Sequence, residues 1–423
     1  MTFENSLAFA QRMDQQDPLR DFRNEFLFPQ HAGKPVLYFT GNSLGLQPKG
    51  AAAALKQELD DWARYGVEGH FQAKNPWYPY HEFFSESLAR IVGAQPSEVV
   101  AMNGLTTNLH LLMVSFFRPK GERTRILCEE RPFPSDTYAF HSQAEFHGLD
   151  PQSTVIGMKP RPGEHTLRTE DIVMKIEELG DELALVCFGG VNFLTGQAFD
   201  MRTITEAGHR AGAVVGFDLA HAAGNLKLYM HDWNVDFACW CSYKYLNSGP
   251  GSVAGAFVHE RHHREKLPRF AGWWGHDKNE RFLMEPEFKP MASAEAWQLS
   301  NAPVFSMAVH RAALDLFDRA GMDALRAKSE QLTGFLKLVL NGISVEHENL
   351  FEIITPNDPA QRGCQLSLLV RENGRALFDA LTKRGVVIDW REPNVIRMAP
   401  VPLYNSYEDV FRCGEVLNEA LKS

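Results

Sequence analysis

AVVGFDLA (213–220) and VDFACWCS (235–242) are two short, mostly apolar runs; Asp218 stands near the end of the first and Lys244 follows the second. Continuous apolar runs rich in β-branched and aromatic residues mark strands buried on both faces, the kind that parallel sheets use. Outward from this pair, TRILCEE (124–130), STVIGM (153–158), LALVCFGG (183–190) and VAGAFVHE (253–260) read the same way. Helical patterns lie around them near 49–65, 82–93, 107–117, 136–148, 169–180 and 200–210. The alternation predicts an α/β fold, a mostly parallel sheet covered by helices. After residue 300 the texture changes: two long helical patterns (305–320 and 323–341) precede CQLSLLV, a helix near 374–384, VVIDW, VIRMAP and a last helix from about 406. The expected organisation is a large domain over 66–309 and a smaller α+β domain built from 1–65 and 310–423.

Composition narrows the function. A chain of 423 residues is long enough for two cores, and 44% apolar with 23% charged residues is ordinary for globular proteins. A net charge of −10 leaves no basic field for nucleic acid or anionic lipid, so a small-molecule partner is expected. No apolar run reaches the roughly 18 residues that a membrane span needs. The amphipathic start, MTFENSLAFAQRMDQQD, lacks the basic and apolar regions of a signal peptide. Six scattered cysteines, the nearest two spaced C-x-C at Cys239 and Cys241, match neither a zinc knuckle nor a redox pair. Reduced core thiols in a cytoplasmic protein are expected.

In a parallel sheet, ligands gather beyond the carboxyl ends of the strands, and Asp218 and Lys244 both fall there. A desolvated lysine becomes a usable amine for a Schiff base, and an aspartate beside it can hold a pyridinium nitrogen protonated. The plain alternative is a capping aspartate and a solvated lysine. MNGLTTNLHLLM (102–113) opens an apolar helix with glycine and two threonines, suited either to a phosphate or to simple capping. RPFPSD (131–136) offers an aromatic and an acid after a strand, and GWWGH (272–276) two tryptophans in a loop.

CWCSYKYLNSGPG, GFDLAHAAGN, YFTGNSLGLQPKG, RPFPSD, GWWGH, RGVVIDWR and IRMAPVPLYNS, in that family's order from about residue 38 to the C-terminus, resemble kynureninases. These are pyridoxal-phosphate hydrolases of the aspartate-aminotransferase fold (fold type I). The resemblance implies pyridoxal 5′-phosphate as cofactor and cleavage of kynurenine or 3-hydroxykynurenine to anthranilate or 3-hydroxyanthranilate plus alanine. It matches Lys244 to the cofactor lysine, Tyr243 to a phosphate contact and proton donor, and Asp218 to the pyridinium partner. Leu105, Thr106, Asp136 and His221 match further cofactor positions, and Phe133 the ring-stacking aromatic. Trp273 and Asn301 match residues closing the pocket partly from a second subunit, which implies a homodimer. Arg397 matches the arginine for the substrate carboxylate; Ser43, His70, Ser300 and Asn301 match the substrate pocket. His70, Ser300 and Asn301 resemble the relatives that prefer 3-hydroxykynurenine. One position departs: Gly189 stands where relatives often carry serine.

Other readings fare worse on the residues. His259-Glu260-Arg261-His262-His263 satisfies H-E-x-x-H, yet it follows a strand and runs into HREK, so a solvated loop is expected and no metal. Gly41–Gly45 and Gly249–Gly255 miss the spacing of nucleotide-binding loops. A cysteine desulfurase needs a cysteine on a mobile loop, and a non-catalytic relative should lack Lys244, Asp218 or Arg397.

Overall fold

The computed structural model describes residues 2–422, and within them seven strands form one sheet. They are β1 (Val99–Ala101), β2 (Arg125–Glu129), β3 (Val155–Met158), β4 (Leu183–Gly189), β5 (Val214–Asp218), β6 (Phe237–Trp240) and β7 (Gly255–Val258). The spatial order is β1-β7-β6-β5-β4-β2-β3. The pairs from β6 to β3 are parallel, while β7 runs antiparallel to both β6 and β1. The three-residue β1 escapes a reading by apolar runs.

Strand alternation explains why these runs are apolar throughout. Leu127, Val186, Phe188, Val215, Phe217 and Trp240 point into one core, whereas Ile126, Cys128, Leu185, Cys187, Phe237 and Cys239 point into the core on the opposite face. After α1 (Leu7–Gln16), which lies elsewhere, helices cover both faces: α2 (Gly50–Tyr65), α3 (Ser85–Val92), α4 (Leu105–Phe116), α5 (Pro134–Phe146), α6 (Thr169–Leu179), α7 (Met201–Arg210) and α8 (Val304–Ala320) follow in chain order. The helix expected at 323–341 is α9 (Met322–Glu346), longer because buried Ile343, one turn past Val339 and Leu340, continues its apolar face.

A third core lies apart from the sheet. Phe9, Ala10 and Met13 of α1 join Phe335 and Leu336 of α9, Tyr407 and Val410 of α11 (Tyr407–Lys422), and a second sheet. That sheet has β8 (Phe351–Ile353), β9 (Leu366–Val370), β10 (Asp389–Arg391) and β11 (Val395–Met398), antiparallel in the order β8-β9-β11-β10, with α10 (Gly374–Lys383) against it. VVIDW is not one strand. Val386–Val387 pairs with Leu37–Tyr38, and only Asp389 onward enters the second sheet.

Candidate active site

Asp218 and Gly189 are register partners at the ends of β5 and β4, and Asp218 is also paired with Cys239 of β6. The chain leaves β6 through Cys241, Ser242 and Tyr243 to Lys244 before returning as β7. This segment is fastened: Ser248 N–H donates to Ser242 O (3.1 Å), Asn247 N–H to Lys244 O (3.1 Å) and Gly45 N–H to Tyr243 O (2.8 Å). A Cβ on Gly45 would collide with Asn247 and the Lys244 carbonyl, so only glycine lets the 41–46 loop pack here.

A cavity opens at these strand ends, lined by Leu105, Thr106, Phe133, Asp136, Asp218, His221, Tyr243 and Lys244 among others. Lys244 is 9% exposed, and its ammonium donates to His221 Nε2 at 3.0 Å, 5.5 Å from the centre of the Phe133 ring. Burial, with Lys244 next, pushes the His221 imidazole well below its usual range, so it stands neutral. Burial raises the Asp218 carboxyl, while the Ala220 N–H (2.7 Å), Lys244 and Asp136 pull it back. Asp136 is pushed well up, by burial and then by the Asp218 charge, which makes Asp136 the acid of this pair and Asp218 its anion. Burial likewise holds the Tyr243 phenol protonated. Leu105 and Thr106 begin α4 and Asp136 sits in the first turn of α5, so two helix N-termini face this cavity with main-chain N–H groups.

The remaining expected residues lie outside this lining. Arg397 is 1% exposed on β11, its Nη1 on Phe193 O at 2.6 Å and its Nη2 on Asp389. His70 is half-buried, its Nδ1 bonded to Val67 O (2.9 Å) and its ring against Trp77. Trp273 is 43% exposed and donates to Arg281 O (3.1 Å). Ser43 is half-buried; Ser300 and Asn301 are exposed on a loop. Conversely, sequence reasoning missed Glu129, Val191 and Phe193, which do line the cavity. The signal for Glu129 was the strand register that turns it inward beside Gly189.

The H-E-x-x-H segment is not the solvated loop expected. His259 and His263 are each 7% exposed and bonded, Arg261 N–H to His259 Nδ1 (3.2 Å) and His263 Nε2 to Val258 O (2.9 Å). Glu260–His262 is a single 3₁₀ turn, so the two histidines do not share a helix face. His259, His231 and Glu98 do cluster, but Glu98 is occupied by His231 (2.9 Å) and by the Gln95 and Glu260 N–H groups.

Solved structures share this fold. A cysteine desulfurase from Thermococcus onnurineus aligns with a TM-score of 0.75 at 16% identity, covering 92% of this chain and 95% of its own. A cysteine desulfurase from Escherichia coli reaches 0.76 at 16% identity, with 96% and 98% covered. The architecture is therefore that of the fold type I α/β enzymes, with the cavity at the strand ends where such sheets place ligands. Sequence comparison is more specific. Kynureninases from Flavobacterium psychrophilum (58% identical, 100% of this chain and 99% of the relative covered) and Myxococcus xanthus (56%, 98% and 97%) align along its whole length. The profile described as Kynureninase C-terminal domain matches residues 325–417. The chain belongs to the kynureninase family.

Proposed function

We propose that this chain is a pyridoxal-phosphate-dependent kynureninase that hydrolyses the Cβ–Cγ bond of kynurenine or 3-hydroxykynurenine, releasing an anthranilate and alanine. Full-length identity to curated kynureninases carries the reading. A fold relative, a cystine lyase variant, has glycine covalently linked to its pyridoxal phosphate. The residues here fit that cofactor. His221 Nδ1 and Asp136 Oδ1 are buried polar atoms without a partner among the described residues, at a cavity that also offers a lysine, an aromatic face and two helix N-termini. Such orphaned groups are costly unless a ligand satisfies them.

When bound, pyridoxal phosphate supplies an electron sink for negative charge formed on substrate carbon. Asp218 would be the anion that keeps its ring nitrogen protonated, and the N–H groups opening α4 would hold its phosphate. Phe133 would present a ring face. Lys244 would carry the cofactor and, as a free amine, would take the proton from the substrate Cα, with the neutral His221 as its hydrogen-bond partner. The Tyr243 hydroxyl, protonated through neutral pH, relays protons to the substrate side chain. Arg397 receives the substrate carboxylate. Its buried Nε has no partner among the described residues, and Asp389 fixes the plane of its fork.

The exposed Trp273 and Asn301 close the cofactor pocket in part from a second copy, and Ser43, His70, Ser300 and Asn301 line the substrate pocket, so the working form is a homodimer with shared sites in the cytoplasm. The exposed Phe71, Trp273, Phe282 and Leu283 support such a face, and the six buried thiols support a reducing compartment. The same buried thiols disfavour a desulfurase. His70, Ser300 and Asn301 favour 3-hydroxykynurenine, because groups set to bond a ring hydroxyl are left unpaired by a substrate without one. The separate third core supports two domains, 66–309 and 1–65 with 310–423.

Incubating the purified holoenzyme with each kynurenine and identifying products tests this reading. Anthranilates and alanine are expected; a keto acid, or no product, overturns it.

A further inference from the structure

The row of strand ends that carries Asp218 also carries a carboxyl that the mechanism above leaves without a role. Glu129 ends β2, Gly189 ends its neighbour β4, and Asp218 ends the next strand, β5. Glu129 is 5% exposed, lines the same cavity, and has both carboxyl oxygens 3.3 Å from the Gly189 N–H. The missing side chain at 189 is what gives it room. A Cβ there would sit 3.1 Å from Glu129 Oε1 and 3.3 Å from Val191 O, closer than most real Cβ contacts.

Charge makes this arrangement informative. The cavity holds three carboxyls, on Glu129, Asp136 and Asp218, against one cationic side chain among the described residues, Lys244. Three adjacent carboxylates cannot all stay ionised in a buried site with a single ammonium. Burial and their mutual contact already push the Asp136 carboxyl well up, with Asp218 also raised. The groups facing Glu129 are Cys128 on its own strand, the Gly189 N–H and Cys187 from β4, Asp218 from β5, Asp136 from α5 and Lys244 from the segment after β6. Burial lifts the Glu129 carboxyl to about 7, against the downward pull of its own and the Gly189 main-chain N–H groups, with the Asp218 charge adding a smaller upward push.

We propose that Glu129 is a positioning residue of the cofactor site: a carboxyl group that fills the space over Gly189 and takes up a proton in preference to Asp218, which is left as the anion facing the ring nitrogen. This rests on the pyridoxal-phosphate reading above. Glu129 and a side chain at 189 would press on each other, because a Cβ there sits 3.1 Å from Glu129 Oε1. A larger residue at 189 displaces the acid, and loss of the acid leaves a gap that a small side chain at 189 can fill.

The test uses the holoenzyme and two readouts other than turnover. The first is infrared difference spectroscopy between about pH 6 and pH 8.5, which isolates groups that lose a proton across neutrality. Wild type is expected to lose one carboxylic-acid carbonyl band, and Glu129→Gln, which is permanently neutral, to lack that band while binding the cofactor as wild type does. The second is cofactor affinity by equilibrium dialysis. Glu129→Ala and Gly189→Ser are each expected to weaken binding about tenfold, and the double variant to recover most of that loss, the signature of coupled neighbours. An unchanged band in Glu129→Gln, or additive losses in the double variant, overturns the proposal alone. Wild-type protein that binds no pyridoxal phosphate overturns the parent reading and this proposal with it.

Discussion

The two ends of the central sheet each carry a buried cluster of acid, histidine and cation, and they behave in opposite ways. At the amino end of the parallel strands, Asp236 just before β6 accepts from Val215 N–H (2.7 Å), His209 (2.9 Å), His262 (2.7 Å) and Arg261. Burial alone would raise its carboxyl, but these bonds outweigh burial and hold it far below the usual range. At the carboxyl end, burial wins: Asp136, Asp218 and Glu129 are all pushed up, and His221 Nδ1 and Asp136 Oδ1 find no partner among the described residues. The same residue types make a saturated staple in one place and an unsatisfied site in the other. Composition does not separate them; the unfilled hydrogen-bonding capacity does.

Replacing residues at the two ends should therefore separate chemistry from stability. The largest effect is expected from Lys244→Ala, which removes the amine that moves the Cα proton. Turnover should fall by about 10²–10⁴-fold or more with the fold intact. In wild type, borohydride should fix the cofactor to the peptide holding Lys244, and label on another peptide would break the assignment. Next comes Asp236→Ala at the opposite end. Leaving His209, His262 and Arg261 without their shared acceptor should cost about 3–5 kcal/mol in urea denaturation, with kcat of the folded protein unchanged. The pH profile sharpens this. Because the folded Asp236 carboxyl lies below its unfolded value of about 3.9, its contribution is complete above that pH and fades as the pH falls below it. The variant should thus show a shallower acid limb than wild type.

A smaller loss, about ten- to a hundredfold in turnover, is expected for Asp218→Asn, which keeps the cofactor but replaces an anion worth about 1.5–3 kcal/mol in a charge-assisted bond with an amide. Near wild-type turnover would move Asp218 into the class of Asp236. The smallest effect concerns the rim. Wild type should favour 3-hydroxykynurenine over kynurenine by at least about tenfold in kcat/KM, and His70→Phe with Asn301→Thr should narrow or reverse the ratio. Equal efficiency in wild type would remove the hydroxyl-reading role and leave the family assignment standing.

Much of the architecture was legible because buried strands announce themselves as unbroken apolar runs, and Asp218 and Lys244 are where two such runs stop. The three-residue strands β1 and β8 were not legible, since three residues carry no period. Glu129 was hidden by its neighbour. CEE contains two adjacent acids, and only the register of β2 against β4 decides that Glu129 faces the cavity while Glu130 reaches Lys159 at the surface (2.9 Å). The H-E-x-x-H segment misled because it bends into a 3₁₀ turn in which His259 and His263 bond to nearby main-chain groups, the Arg261 N–H and the Val258 carbonyl, and are buried.

The antiparallel course of β7 has a mechanical consequence for Lys244. Had the strand after β6 been parallel, the chain would have had to cross to the far end of the sheet, leaving the lysine on a departing arm held at one end. Because β7 turns straight back, the span from Cys241 to Ala254 is a beam clamped at both ends, with β6 and β7 as its supports and Gly45 bracing its middle. In the role proposed for it, the Lys244 side chain swings between partners while its main chain stays fastened, so the amine returns to one starting point.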